Sequence, residues 1–142
     1  MSSKPIHSIS LRTICAATES EEKVKSALSQ FTLDNEIETI NTEGHFGNKI
    51  TILSSTIRGR DCSRFIELLR SRLSGSDLER LKAETCERID DDCNYHLRLD
   101  KQAAYMGIVK LAATSDIIDA RLKIKAYPAA RDKAIAIADT IF

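Results

Sequence analysis

The 142-residue sequence has no tryptophan, two prolines, five glycines and no excess of charge, since 21 Lys and Arg balance 21 Asp and Glu. Each shortage excludes something. There is too little proline and glycine for a collagen-like or low-complexity chain, and an apolar fraction of 42% is too high for intrinsic disorder. The balanced charge excludes a protein that is basic over its whole surface, so any polyanion partner must be met by segregated charge. No apolar run approaches the ~18 residues that a membrane helix needs. Arg12 interrupts the N-terminal apolar stretch that a secretion signal would require, so the expectation is a soluble cytoplasmic protein with no membrane partner. Cys15, Cys62, Cys86 and Cys93 form no CxxC pair, and only His7, His45 and His96 could join them, so zinc-finger spacing is absent. Reduced thiols acting as small core residues are expected, with no cofactor or metal.

What is present is a regular alternation of strand and helix patterns. A chain of this length buries roughly 70% of its unfolded surface, enough for one domain over residues 1–142 without disulfides. Strands are expected over Ile6–Ala17, Glu36–Thr42, Lys49–Arg58, Asn94–Asp100 and Ile117–Tyr127, with a short one at Ile108–Leu111. Thr18 with Glu21 reads as a capping box for a helix whose Val24, Ala27, Leu28 and Phe31 form one buried stripe. A helix from Asp61 turns Cys62, Phe65, Ile66, Leu69 and Leu73 inward, ends at Ser74-Gly75, and hands over to a second helix capped by Ser76 and Glu79. Asp100 caps a single turn, Lys101–Tyr105, and Pro128 suits the first turn of a last helix presenting Ala130, Ala134, Ile137, Ala138 and Ile141. Hairpins interrupted by helices imply an α+β fold, a mainly antiparallel sheet with helices packed on one face.

The other face of that sheet holds the chemistry. Arg121, Lys123 and Lys125 alternate with Ala120, Leu122, Ile124 and Ala126, so the cations share one side of their strand. His96 and Arg98 repeat the pattern against Leu97 and Leu99, and Arg12 against Ile9 and Leu11. If these strands are neighbours, Arg12, Arg98, Arg121, Lys123 and Lys125 make a basic surface, with the carboxylates kept to helices and to the Asp90–Asp92 loop. Lys and Arg on a strand also serve simply as a solvated face that blunts edge pairing, and the pattern alone admits either reading. Arg58, Arg60 and Arg64 form a second basic cluster where a strand enters a helix. In Gly44-His45-Phe46-Gly47-Asn48, His45 or Phe46 can stack on a base or plug the end of the core. Lys101 and Gln102 can reach a phosphate or sugar from a helix N-terminus, or belong to an ordinary capped turn.

Three segments, Gly44-His45-Phe46-Gly47-Asn48, Asp100-Lys101-Gln102-Ala103-Ala104-Tyr105 and Ala126-Tyr127-Pro128-Ala129, resemble the small archaeal RNA-binding proteins described as predicted exosome subunits. The similarity runs from His7 to the C-terminus. It implies an archaeal cytoplasmic protein with a fold like that of the ribosomal protein that holds 5S rRNA, and RNA as partner, with exosome or other RNA-processing subunits beside it. It also suggests roles for Lys101 and Arg131. Lys49 stands where the family has a proline, and Ala130 where it has a basic residue, leaving Arg131 and Lys133 to supply charge near the last helix.

No convergent catalytic set is legible. Cys62 and His45 are not brought together by spacing, Asp90-Asp91-Asp92 reads as solvated charge before it reads as a Mg²⁺ site, and GxxxxGK and GxGxxG are absent. The expectation is a non-catalytic RNA-binding accessory factor in RNA processing or decay. The alternative is a protein-interaction adaptor that docks onto a ribonuclease or ribosomal assembly through the open face or the Asp61–Glu87 helical hairpin without direct RNA recognition, marked by exposed apolar residues on that sheet face. Homo-oligomerisation is left open by the sequence.

Overall fold

Alternation decides the first strand. In β1 (Ile6–Ala16), Ile9, Leu11, Thr13 and Cys15 are buried, while Ser10, Arg12, Ile14 and Ala16 are exposed. This pattern suits a strand with one face on a core and the other open to water. A computed structural model describes residues 6–43, 47–126 and 130–142. Its elements after β1 are α1 (Glu21–Thr32), β2 (Glu38–Glu43), β3 (Lys49–Arg58), α2 (Arg60–Arg72), α3 (Gly75–Ala83), α4 (Thr85–Arg88), β4 (Asn94–Asp100), α5 (Lys101–Tyr105), β5 (Ile117–Ile124) and α6 (Arg131–Ala138). The strands form a five-stranded sheet in the order β2-β3-β1-β5-β4, with every pairing antiparallel. This is the α+β fold with helices on one face.

The core lies between that helical layer and one side of the sheet. Val24, Leu28 and Phe31 of α1 and Phe65 and Leu69 of α2 meet Ile9, Leu11, Leu53, Ile57, Leu97, Leu99, Ile118 and Leu122 from the strands, all essentially inaccessible. Removing a side chain such as Phe65 from so close-packed a layer leaves a cavity. Cys15, Cys62 and Cys93 are buried, as expected of core cysteines, whereas Cys86 is exposed.

Several boundaries differ from the sequence expectation, each for a local reason. The N-cap of α1 is Ser20, not Thr18: its hydroxyl accepts from Lys23 N at 3.4 Å. Ser74, not Ser76, caps α3, accepting from Asp77 N at 3.1 Å. The helix expected to continue to Glu87 breaks at Glu84, where α4 begins anew. Ile108–Leu111 forms a single bridge, Leu99 to Leu111, and no strand. The ladder of β5 stops at Ile124, short of Tyr127. The last helix starts at Arg131, with Ala130 as its N-cap, and Pro128 lies outside the described residues. The turn at Lys101–Tyr105 is as expected: Asp100 accepts from Ala103 N at 2.8 Å, and Gly107 closes it at φ 74°.

Candidate nucleic-acid interface

Antiparallel register turns the sequence alternation into rows that run across the open face. In one row β3 supplies Arg58, β1 Ser8, β5 Lys123 and β4 Asn94. The next holds Thr56, Ser10, Arg121 and His96. The third runs Glu38, Ser54, Arg12, Asp119 and Arg98 from β2 to β4. Adjacent strands lie about 4.8 Å apart and same-face residues about 7 Å apart along a strand, so neighbouring rows are within reach of one extended polyanion. Arg12, Arg58, Arg98, Arg121 and Lys123 are exposed, and among the described residues none of them forms an ion pair with a carboxylate.

The sorting of charge is less complete than the sequence suggested. Asp119 lies on this face, between Arg12 and Arg98, because the two-residue period that turns Arg121 outward also turns Asp119 outward. It offsets the repulsion that Arg12 and Arg98 would otherwise feel along their row. Arg58, which the sequence grouped with Arg60 and Arg64, belongs instead with Lys123, because both flank Ser8. Arg64 is engaged with Asp61 at 3.0 Å. Lys125 is exposed but lies beyond the end of β5, where no ladder fixes its direction.

Of the other sequence candidates, Lys101, Gln102 and Arg131 stand in none of these rows. Lys101 is not a surface cation. Its side chain is 3% exposed, and Nζ lies 2.9 Å from Glu19 Oε1, 2.8 Å from Asp116 Oδ1 and 2.8 Å from the Ile14 carbonyl. A lysine at the N-terminal end of a helix opposes the helix dipole, and here two carboxylates supply the compensation. Gln102 is exposed and donates to Asp116 Oδ2 at 2.6 Å. Arg131 donates from Nη2 to the Cys86 carbonyl at 2.6 Å and from Nε to the Ile89 carbonyl at 3.2 Å, so it holds α6 to the end of α4. His45 and Phe46, with the Tyr127-Pro128-Ala129 segment, lie outside the described residues.

Beside the third row, a cleft of about 390 Å³ is lined by Arg12, Ile14, His96, Arg98, Ile117 and Asp119 among others. Its wall is stiffened by Asp90, which belongs to no metal site: among the described residues, no group of three or more His, Cys, Asp or Glu could hold a metal ion. Asp90 Oδ1 accepts from Asp92 N and Asn94 N at 2.9 Å each, and Oδ2 lies 2.7 Å from His96 Nε2. These bonds form the turn into β4, in which Cys93 takes a φ of 64°. Burial alone would raise the Asp90 carboxyl, but the bonds from His96, Asn94 and Asp92 hold it at about 2 instead of 3.8. A depressed carboxyl stabilises the fold above its unfolded value and loses that contribution as pH falls from about 4 towards 2. Asp90→Ala is therefore expected to lower stability by about 1 kcal/mol at neutral pH, the site being partly solvent-screened. Urea midpoints of the two proteins should converge across that acid window.

A wider groove of about 840 Å³ runs between α1 and α5, lined by Glu19, Ser20, Lys23, Gln30, Gln102 and Tyr105 among others. It has no comparable cation row. Its carboxylate, Glu19, already accepts from Tyr105 at 2.8 Å and from Lys101.

Comparison with known proteins agrees with this fold. A family model described as RNA binding matches residues 8–124. The chain is 38% identical over 136 residues to RNA-binding protein PAB1135 of Pyrococcus abyssi, covering 91% of this chain and 88% of that protein. It is 29% identical over 130 residues to the uncharacterized protein MJ0213 of Methanocaldococcus jannaschii, covering 86% and 87% respectively. Among solved structures, protein AF2318 from Archaeglobus fulgidus superposes with a TM-score of 0.87 at 30% identity, covering 96% of this chain and 99% of that one. Mth689, a DUF54 protein from Methanothermobacter thermautotrophicus, gives a TM-score of 0.77 at 33% identity, covering 97% and 98%. By the extent of the family match and its similarity to these archaeal proteins, the chain belongs to this RNA-binding family.

Proposed function

We propose that the protein is a non-catalytic RNA-binding factor that holds the RNA backbone on its open sheet face. Arg12, Arg58, Arg98, Arg121 and Lys123 are the phosphate ligands. The observation that supports this best is the gathering of those cations, exposed and without an ion pair among the described residues, on the open face of a chain with no net charge. Membership of the RNA-binding family and the name of the P. abyssi relative support the same ligand class. Phosphate contacts of this kind set affinity and register but carry no sequence information. On this reading the protein is an accessory in RNA processing or decay. Copurification with exosome subunits from an archaeal host tests that assembly.

Binding to about five phosphates gives a slope of roughly −3.5 for log affinity against log salt on single-stranded RNA. Replacing Arg121 and Lys123 with alanine removes two contacts and should bring the slope to about −2. Fluorescence anisotropy over a salt series reads this directly, with circular dichroism to verify the fold. An unchanged slope with the fold intact overturns the assignment of these residues. The second reading, an adaptor that docks a protein on the same face, has Ile14 and Ile40 in its favour, exposed by 49% and 54%.

A further inference from the structure

The rows beyond Arg12 change character abruptly. Ile40 of β2, Ile52 of β3 and Ile14 of β1 are directly opposed across the three strands. Ile50 follows on β3, between Thr42 and Ala16, and Ile117 of β5 lines the same cleft as Ile14 and Arg12. Opposed side chains in an antiparallel pair lie about 5 Å apart, so these isoleucines form one continuous apolar strip. Ile14 and Ile40 are half-exposed, and among the described residues no helix covers them. The face therefore has two halves along its strands, one from Arg58 to Arg12 where cations outnumber the acids Asp119 and Glu38, and an aliphatic one from Ile14 to Ile50, with no gap between them.

We propose that this split face takes single-stranded RNA, with the phosphates on the basic rows and unstacked bases and ribose laid on the isoleucine strip. The inference rests on the RNA-binding reading above and narrows it to one form of RNA. Duplex RNA encloses its bases and offers mainly phosphates and 2′-hydroxyls, which would leave the strip desolvated against polar groups. A single strand presents phosphate on one edge and an apolar base face on the other, about one residue row apart on this surface. Continuity decides the occupant: a ligand bound to Arg12 and Arg98 extends over Ile14 and Ile117 through the cleft that all four line. Because aliphatic contacts release no counterions, they add affinity without adding salt dependence.

The test compares an unstructured labelled 12-mer with a blunt duplex of equal length, each titrated by anisotropy with the wild type and with Ile14→Thr/Ile40→Thr. Threonine keeps β-branching at exposed strand positions, so the fold is expected to persist, with Ile40→Thr alone as a milder second variant. The single strand should bind at least about tenfold tighter than the duplex, and the double variant should lose about tenfold on the single strand with its salt slope and duplex affinity unchanged. Equal affinities for the two forms, or an unaffected double variant, overturn this inference while leaving RNA binding standing. Failure of both RNAs to bind overturns the reading beneath it as well. An oligomer that dissociates in the double variant with RNA affinity intact assigns the strip to a second copy of the chain and also overturns the inference.

Discussion

Lys101→Met should lower the stability of the folded protein by about 2 kcal/mol, since it removes the charged hydrogen bonds of a buried ammonium while the carboxylates left behind are 23% and 37% exposed. The ammonium is shared by Glu19 and Asp116 and bonded to the Ile14 carbonyl, so its loss leaves two carboxylates facing one another in a partly enclosed site. The cluster joins parts of the chain that are remote in sequence: the loop after β1, the turn α5, and the approach to β5. Glu19 also accepts from Tyr105 and from Ala16 N, and Asp116 from Gln102, so the damage spreads through a connected network. The control is the same change in a Glu19→Gln/Asp116→Asn background, where no carboxylates are left unpaired and most of the loss should disappear. Urea unfolding of the four proteins measures the coupling.

The pH dependence of this cluster has two signs. Burial opposes the charge on Lys101, but the bonds to Asp116 and Glu19 prevail and raise its pKa above 10.5. Its contribution is therefore present below the ordinary lysine value and is lost as pH climbs through the raised one. Burial likewise opposes ionisation of Glu19 and Asp116, yet their hydrogen bonds bring both below their usual 4.5 and 3.8. Their contribution is lost as pH falls through those depressed values. Wild type and Lys101→Met should differ most between these limits.

Lys101 also shows how far the sequence could be read. Its position after an N-cap aspartate was legible, and the turn formed as expected. Its burial was not, because the compensating carboxylates come from residues 82 positions before it and 15 after it. A cation placed against the helix dipole was the available sign that it needed partners. The strand cores and inward helix stripes were legible for the opposite reason. Periods of two and near four are local properties, and Leu97, Leu99, Phe65 and Leu69 are buried as their spacing requires. Strand order is not local. Nothing within Lys49–Arg58 says that Arg58 lies level with Lys123, or that Ile52 lies between Ile14 and Ile40. Those adjacencies follow from a topology in which β1 sits at the centre, and they separate a basic patch from a two-part surface. Asp119 was a different omission, since its outward direction follows from the same alternation that placed Arg121 and Lys123.

Reversing charge at Arg121 and Lys123 should weaken RNA binding by at least about a hundredfold, because each lost phosphate contact is worth about 1.5–3 kcal/mol before repulsion is added. These positions suit the experiment because their row neighbours are Ser10 with His96 and Ser8 with Asn94, none of them a carboxylate. Arg121→Glu and Lys123→Glu thus place negative charge on the face with no carboxylate opposite them in their own rows, Asp119 standing one row further along β5, and both positions are exposed. The fold should be retained, since Ala120, Leu122 and Ile124 supply the core side of the strand. Asp119→Asn is the opposite-sign companion: it frees Arg12 and Arg98 from the acid between them and should tighten binding and steepen the salt slope. A phosphate-binding face requires both responses in the same direction of charge. A protein partner docked through the isoleucines would leave RNA affinity insensitive to either change, so anisotropy on these two variants separates electrostatic capture of RNA from an adaptor that meets RNA only through its assembly.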